Sequence, residues 1–201
     1  MRSIFLVFIF TCIAQPAHTT RYTQLSNQFN IEVAVRVNAT NNPDFASTYL
    51  RIRILEKDSK NVIQTIRKKH FWIPNNLYTD RNHSRSYSTG FNADNIVVDD
   101  NFGDVVIADL NFDGLDDFAV TYDHGVSNGN HYYFYFQRHN KTFYRQVFLT
   151  EEMVLFPAVI DYKNKRLTTR TAAGANNVGE RVFQYNSEKN SWFLLSTRLL
   201  N

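Results

Sequence analysis

The chain has a single cysteine, Cys12, among 201 residues, and it sits inside an apolar N-terminal run. A lone cysteine has no partner in the chain, so no internal disulfide can form. Small exported domains often depend on such cross-links, so the remaining chain must fold on its core alone. Metal-ligating clusters of His and Cys are absent, which excludes a zinc- or copper-type centre. There is no glycine-rich phosphate loop and no serine in a nucleophile-elbow context. Charge of one sign is also scarce. Twenty-two Lys and Arg face 19 Asp and Glu, a formal net charge of +3 that drops by one, to +2, without Arg2. That balance argues against nucleic acid as the main partner. The longest charge run is only Arg67-Lys68-Lys69-His70.

No apolar run is long enough to span a bilayer, which takes roughly 20 residues. The run at 4–14 follows Arg2 and precedes the small residues Ala14 and Ala17, and reads as a secretory signal peptide. Cleavage follows either Ala14 or Ala17. Lipidation at Cys12 would need small residues before it, and Ile9, Phe10 and Thr11 fit that badly. Residues 1–17 are therefore expected to be a leader and 18–201 a single domain. Removing 17 of 201 residues leaves 184, enough for one self-sufficient core. An exported chain without cysteine suits the bacterial periplasm, with no membrane attachment expected after cleavage. Sequons at Asn38, Asn82 and Asn140 are then chance occurrences in an Asn-rich chain.

The rest of the chain is a succession of short strands. Residues 30–37 (NIEVAVRV) alternate apolar and polar, as do 48–56 (TYLRIRILE), with Leu50, Ile52 and Ile54 on one face and Arg51 and Arg53 on the other. With 62–72 they form an expected meander of three antiparallel strands. Further strands are expected at 96–98, 105–109, 118–122, 132–138, 143–149, 156–162, 166–171, 181–185 and 192–199. Residues 151–155 suit one helical turn capped by Thr150. Even spacing of short strands and polar turns is an all-β signature. Residues 132–136 (YYFYF) are aromatic on both faces, which suits a central strand in a multi-sheet structure or, alternatively, a ligand-facing aromatic row.

Residues 74–95 break the pattern. They are rich in Asn, Ser, Thr and Asp, have no period, and read as a long loop. The loop carries Tyr78, Arg81, His83, Arg85, Tyr87 and Phe91, residue types that interfaces favour. They are the candidate partner-binding set, with 125–130 and 172–179 as further candidate loops. Catalytic signals are weak. His124 and His131 have no nucleophile beside them, and Glu151-Glu152 are neighbours that point apart. An enzyme is not expected; turnover of a cell-wall substrate abolished by changing Asp116, His124 or Glu151 would favour one.

The strongest signal is VVIADLNFDGLDDFAVTYDHG at 105–125. Asp109, Asn111, Asp113, Gly114 and Asp117 are spaced D-x-N-x-D-G-x-x-D. Alternate side chains one, three and five point into such a bend, Gly114 permits the sharp turn, Leu115 offers a carbonyl, and Asp117 closes the set. The donors are all oxygens, which selects a hard cation, Ca2+. An EF-hand is excluded, because position twelve is Val120 and both flanks read as strands. The bland reading is an acidic Asp-Gly hairpin turn that binds nothing.

This stretch resembles the calcium loop of integrin-type FG-GAP propeller repeats. More closely, 107–118 (IADLNFDGLDDF), the Tyr-rich strand at 131–136 and Lys141-Thr-Phe-Tyr144 are similar to a family of small periplasmic bacterial proteins. The likeness is clearest over 96–150 and fainter over 30–70 and from 156 onward. It implies an all-β fold of antiparallel strands, in a small propeller-like or multi-sheet arrangement, with one strand-loop-strand calcium site. It also implies an immunity protein that binds and inhibits a peptidoglycan hydrolase, a lysozyme-like effector delivered by type IV secretion. The alternative is a calcium-stabilised adhesion or carbohydrate-binding module.

Overall fold

The computed structural model describes residues 18–38, 47–70, 77–125, 129–173 and 177–200. The leader expected at 1–17 lies outside them, as do parts of the loops at 125–130 and 172–179. The described residues form three open sheets in chain order. The first is β1 (His18–Tyr22), β2 (Phe29–Asn38), β3 (Ser47–Glu56) and β4 (Val62–His70), each antiparallel to the next. The second is β5 (Ser84–Ser86), β6 (Val105–Ala108), β7 (Asp117–Gly125), β8 (Gly129–Gln137) and β9 (Phe143–Arg145). The third is β10 (Val159–Asp161), β11 (Arg166–Ala172), β12 (Val178–Asn186) and β13 (Ser191–Leu200).

The second sheet is the middle layer, and its period-two alternation divides its side chains between two cores. Val105, Ile107, Phe118, Val120 and Tyr135 pack with Ile31, Val33, Leu50, Ile52 and Ile54 of the first sheet. Val106, Ala108, Ala119, Tyr132, Phe134 and Phe136 pack with Leu167, Phe183 and Trp192 of the third. The two-sided aromatic strand at 132–136 is thus β8, at the heart of the middle layer. Its rings fill both cores: Phe134 and Phe136 are fully buried in the one shared with the third sheet, and Tyr135 lies in the one shared with the first.

Several sequence expectations change. The first meander has four strands, because β1 adds to β2; HTTRY carries too little apolar alternation to reveal a strand. Residues 96–98 form only an isolated bridge, Val98 to Asn101, and Ile96 is 89% exposed. Strands expected at 143–149 and 156–162 shrink to three residues each, β9 and β10. Between them lies a π-helical turn, Leu149–Met153, capped by Phe148 without a side-chain bond. Thr150 is inside this turn, not at its cap. Its hydroxyl donates to the Gln146 carbonyl at 2.8 Å and accepts the Phe134 amide at 3.2 Å, stitching the turn to β8. The pairing is antiparallel except for β5, which runs parallel to β6.

One polar link crosses the first core. Gln64 of β4 donates from Nε2 to the Phe143 carbonyl at 2.9 Å and accepts the Phe143 amide on Oε1 at 2.7 Å. Its carboxamide thus mimics a strand neighbour for β9. Leaving a desolvated backbone donor and acceptor without partners costs more than the bonds themselves contribute. Gln64→Leu, which preserves bulk, is expected to lower the unfolding free energy by about 1–3 kcal/mol. Urea denaturation checks this, and a wild-type midpoint would show that the link contributes nothing.

Candidate metal centre

Residues 109–116 join β6 to β7, whose last paired residues are Ala108 and Asp117. The turn is built on its own side chains. Asp109 accepts the Asp113 amide on Oδ1 at 3.1 Å and the Gly114 amide on Oδ2 at 2.9 Å. Asn111 accepts the Asp113 amide at 3.3 Å and donates from Nδ2 to Asp113 Oδ2 at 2.9 Å. Asp113 Oδ1 accepts the Leu115 amide at 2.8 Å. Such carboxylate-to-amide bonds hold tight turns of Asx type. Gly114 has φ +84° with nothing within 4 Å of an added Cβ, so glycine is needed here for backbone conformation, not for space. Phe112, also left-handed at φ 63°, drops its ring against Tyr162 at 5.7 Å and Trp192 at 5.9 Å, fixing the loop to the third sheet.

Asp117 is fully buried. It accepts the Leu110 amide on Oδ2 at 3.0 Å and the Gln137 amide on Oδ1 at 2.8 Å, joining the start of the loop to the end of β8. Asp116 accepts the Ser26 hydroxyl at 2.5 Å, which ties the loop to the segment after β1. Composition gave no sign of the roles of Asp116, Ser26, Gln137 and Phe112. The only available clue was the doubled Asp116-Asp117.

The loop therefore carries four carboxyl groups, and no Lys or Arg among the described residues forms an ion pair with any of them. Burial raises the Asp109 carboxyl above the usual carboxylate range, against the amides of Gly114 and Asp113, and the Asp113 charge raises it further. Asp117 is pushed well above that range, again by burial first, with Asp113 and Asp109 adding to it against the two amides it accepts. Concentrated, desolvated negative charge of this kind is relieved by protonation or by a cation.

Asp109, Asn111 and Asp113 are brought together as the spacing predicts. Asp117 is beside them, but both its oxygens are engaged by amides. Among the described residues no group of three His, Cys, Asp or Glu side chains is disposed to hold a metal ion. The Asn111 carboxamide and the Leu115 carbonyl lie outside that set of ligand types. The donor chemistry fits a hard cation, while the full ligand shell is not preassembled. Next to the loop is an open cleft of about 610 Å³ lined by Asn111, Asp113, Gln137, Arg138, Tyr144 and Tyr185.

The candidate partner-binding loop is ordered, not an excursion into solvent. Tyr78 is fully buried at φ 61°; its hydroxyl donates to the Thr121 carbonyl, and its amide donates to Asp104 at 2.6 Å. Arg85 is 6% exposed, and its guanidinium donates to the carbonyls of Ala93 and Asn95, both at 2.9 Å. These two serve the fold and present nothing to a partner. Phe91 is half-buried against the first core. Arg81 and Tyr87 are exposed, although the Tyr87 ring stacks on Phe156 at 5.9 Å. Of the two histidines beyond the metal loop, His124 bonds Asn130 at 2.5 Å, and His131 lies 3.6 Å from Asp123.

Comparison with protein-family models, curated proteins and solved structures finds no match for this chain.

His83 pairs through Nδ1 with the buried Asp104 at 3.0 Å, pinning residues 77–95 to the start of β6. That bond raises the imidazole pKa above its ordinary 6.5. A raised folded-state value contributes stability that is complete below the unfolded pKa and lost as pH rises through the folded one. His83→Gln is therefore expected to lower the melting temperature relative to wild type near pH 5, with the gap closing by about pH 9. A gap that is constant with pH would show that the pair is not charged.

Proposed function

We propose that the protein is an exported, periplasmic, calcium-binding inhibitor of a peptidoglycan hydrolase, acting as an immunity protein and not as an enzyme. The observation that carries the calcium part of this reading is the D-x-N-x-D-G-x-x-D loop at the β6–β7 turn, with its unpaired carboxylates and all-oxygen donors; the inhibitor part rests on the resemblance of 107–118, 131–136 and 141–144. Asp109, Asn111, Asp113, the Leu115 carbonyl and Asp117 would hold the ion. Bound there, calcium neutralises the carboxyl groups and braces one end of the middle sheet. Its role is structural, and inhibition belongs to surfaces that this scaffold positions. We also read the three sheets, stacked face to face in chain order, as blade-like units of an open propeller-like arrangement.

Among the sequence-derived interface residues, Arg81, His83 and Tyr87 remain available to a partner. A second reading, a carbohydrate-binding module, is favoured by the open cleft beside the loop. There Tyr144 and Tyr185 stand with the amides of Asn111 and Gln137, a mixture of ring faces and hydrogen-bonding groups that suits a sugar.

A turbidity assay of cell-wall lysis separates the two readings. The inhibitor reading expects near-stoichiometric protection against a lysozyme-like hydrolase in calcium, weakened by chelator. Binding to intact peptidoglycan, with no protection against any hydrolase tested, would overturn it in favour of the carbohydrate-binding module.

A further inference from the structure

The outer face of the first sheet is not covered by either of the other layers. Leu50, Ile52 and Ile54 point into the core, so alternation turns Tyr49, Arg51 and Arg53 outward. The strand register sets their neighbours. Tyr49 lies between Arg36 of β2 and Lys69 of β4, Arg51 between Ala34 and Arg67, and Arg53 between Glu32 and Thr65. The one acid in these rows, Glu32, is taken by Arg53 at 2.8 Å. Arg36, Arg51, Arg67 and Lys69 are all exposed, and none of them is in an ion pair among the described residues. A chain of almost balanced charge thus concentrates unpaired cations on one sheet face.

The arrangement carries a cost within the fold. Arg51 and Arg67 are direct cross-strand partners, and like charges in that position destabilise a sheet. An anion held between them would remove the repulsion. The shape of the face indicates which kind of anion. The backbone positions of its cations are spaced about 4.8 Å across strands and about 6.8 Å along them, and none of their side chains lines the cleft beside the metal loop. A specific protein interface is built round an apolar, charge-depleted centre. Here the central outward residue is Ala34, a small side chain that is 4% exposed. Single-stranded nucleic acid calls for several stacking rings, and among the described residues of these rows Tyr49 is the one ring. A broad, flat, singly charged surface with one amphipathic ring suits a plane of anionic headgroups.

We propose that the outer face of the first sheet, centred on Tyr49, Arg51 and Arg67, docks peripherally on an anionic lipid surface. No helix among the described residues is long and apolar enough to cross a membrane, and docking of this kind needs none. The inference departs from the sequence expectation of no membrane contact, and it is independent of the calcium and hydrolase readings.

Cosedimentation of the full chain with phosphatidylglycerol-rich vesicles tests it, with phosphatidylcholine vesicles as the neutral control. Binding is expected to be selective for the anionic vesicles and to weaken in high salt. Each basic residue near such a surface is worth roughly fivefold, so R51Q/R67Q should weaken binding about 25-fold while R51K/R67K retains it. The melting temperature of R51Q/R67Q should equal or exceed that of wild type, since the substitutions relieve repulsion. A lower melting temperature would contradict the premise. Equal uptake by neutral vesicles would assign binding to the N-terminal apolar run and overturn the proposal. Unchanged binding by R51Q/R67Q would overturn it too. Salt-sensitive capture of soluble polyglutamate, with no vesicle binding, would assign the face to an acidic polypeptide instead.

Discussion

A sheet whose two faces both lie against other sheets must supply apolar side chains at every position of its central strands. The middle layer meets this demand with Val105 to Ala108 on β6, Phe118 to Val120 on β7 and the aromatic run on β8. Burying a Phe or Leu fully is worth about 1.5–3 kcal/mol, and this layer makes such contributions in both directions. That lets a cysteine-free core stand without cross-links. It also leaves the strand ends of this layer as its principal polar regions, and the acidic loop is at one of them.

The loop is where charge and packing conflict. Asp117 is needed by the fold as an acceptor for two amides from different strands. It is buried in the process, beside Asp109 and Asp113, and no Lys or Arg among the described residues forms an ion pair with it. Hydrogen bonds to a carboxylate recover about 1.5–3 kcal/mol each, but burial, with the neighbouring carboxyl groups adding to it, still raises the affinity of the site for protons. A divalent cation would resolve the conflict more completely than protonation, because it would leave the amide bonds of Asp117 and Asp109 in place.

Much of this was legible in the sequence, for a definite reason. Period-two alternation exposes strands such as 30–37 and 48–56 because one face is buried and the other solvated. The two-sided run at 132–136 exposes a central strand because both faces are buried. The ligand spacing at 109–117 was legible because a tight turn permits few arrangements of short oxygen-bearing side chains. What escaped depends on distant partners. β1 and β5 are HTTRY and SRS, which become strands only because β2 and β6 offer them edges. Tyr78 and Arg85 look like interface residues until Thr121, Ala93 and Asn95 are seen to satisfy them. The basic face was visible strand by strand as Arg51, Arg53 and Arg67, but only register sums it into one surface.

The three layers also divide the molecule's work. The middle sheet supplies rigidity, the third sheet grips the acidic loop through Phe112, and the first sheet turns a cationic face outward. The central claim is that the acidic loop is completed by a cation, and calorimetry of the wild-type chain tests it most directly. One calcium ion should be taken up per chain, and the melting temperature in calcium should stand well above that in chelator, with both effects abolished by Asp113→Ala. Identical melting in calcium and chelator, with no calcium uptake, would contradict it and leave the loop as an acidic turn held by its own amides.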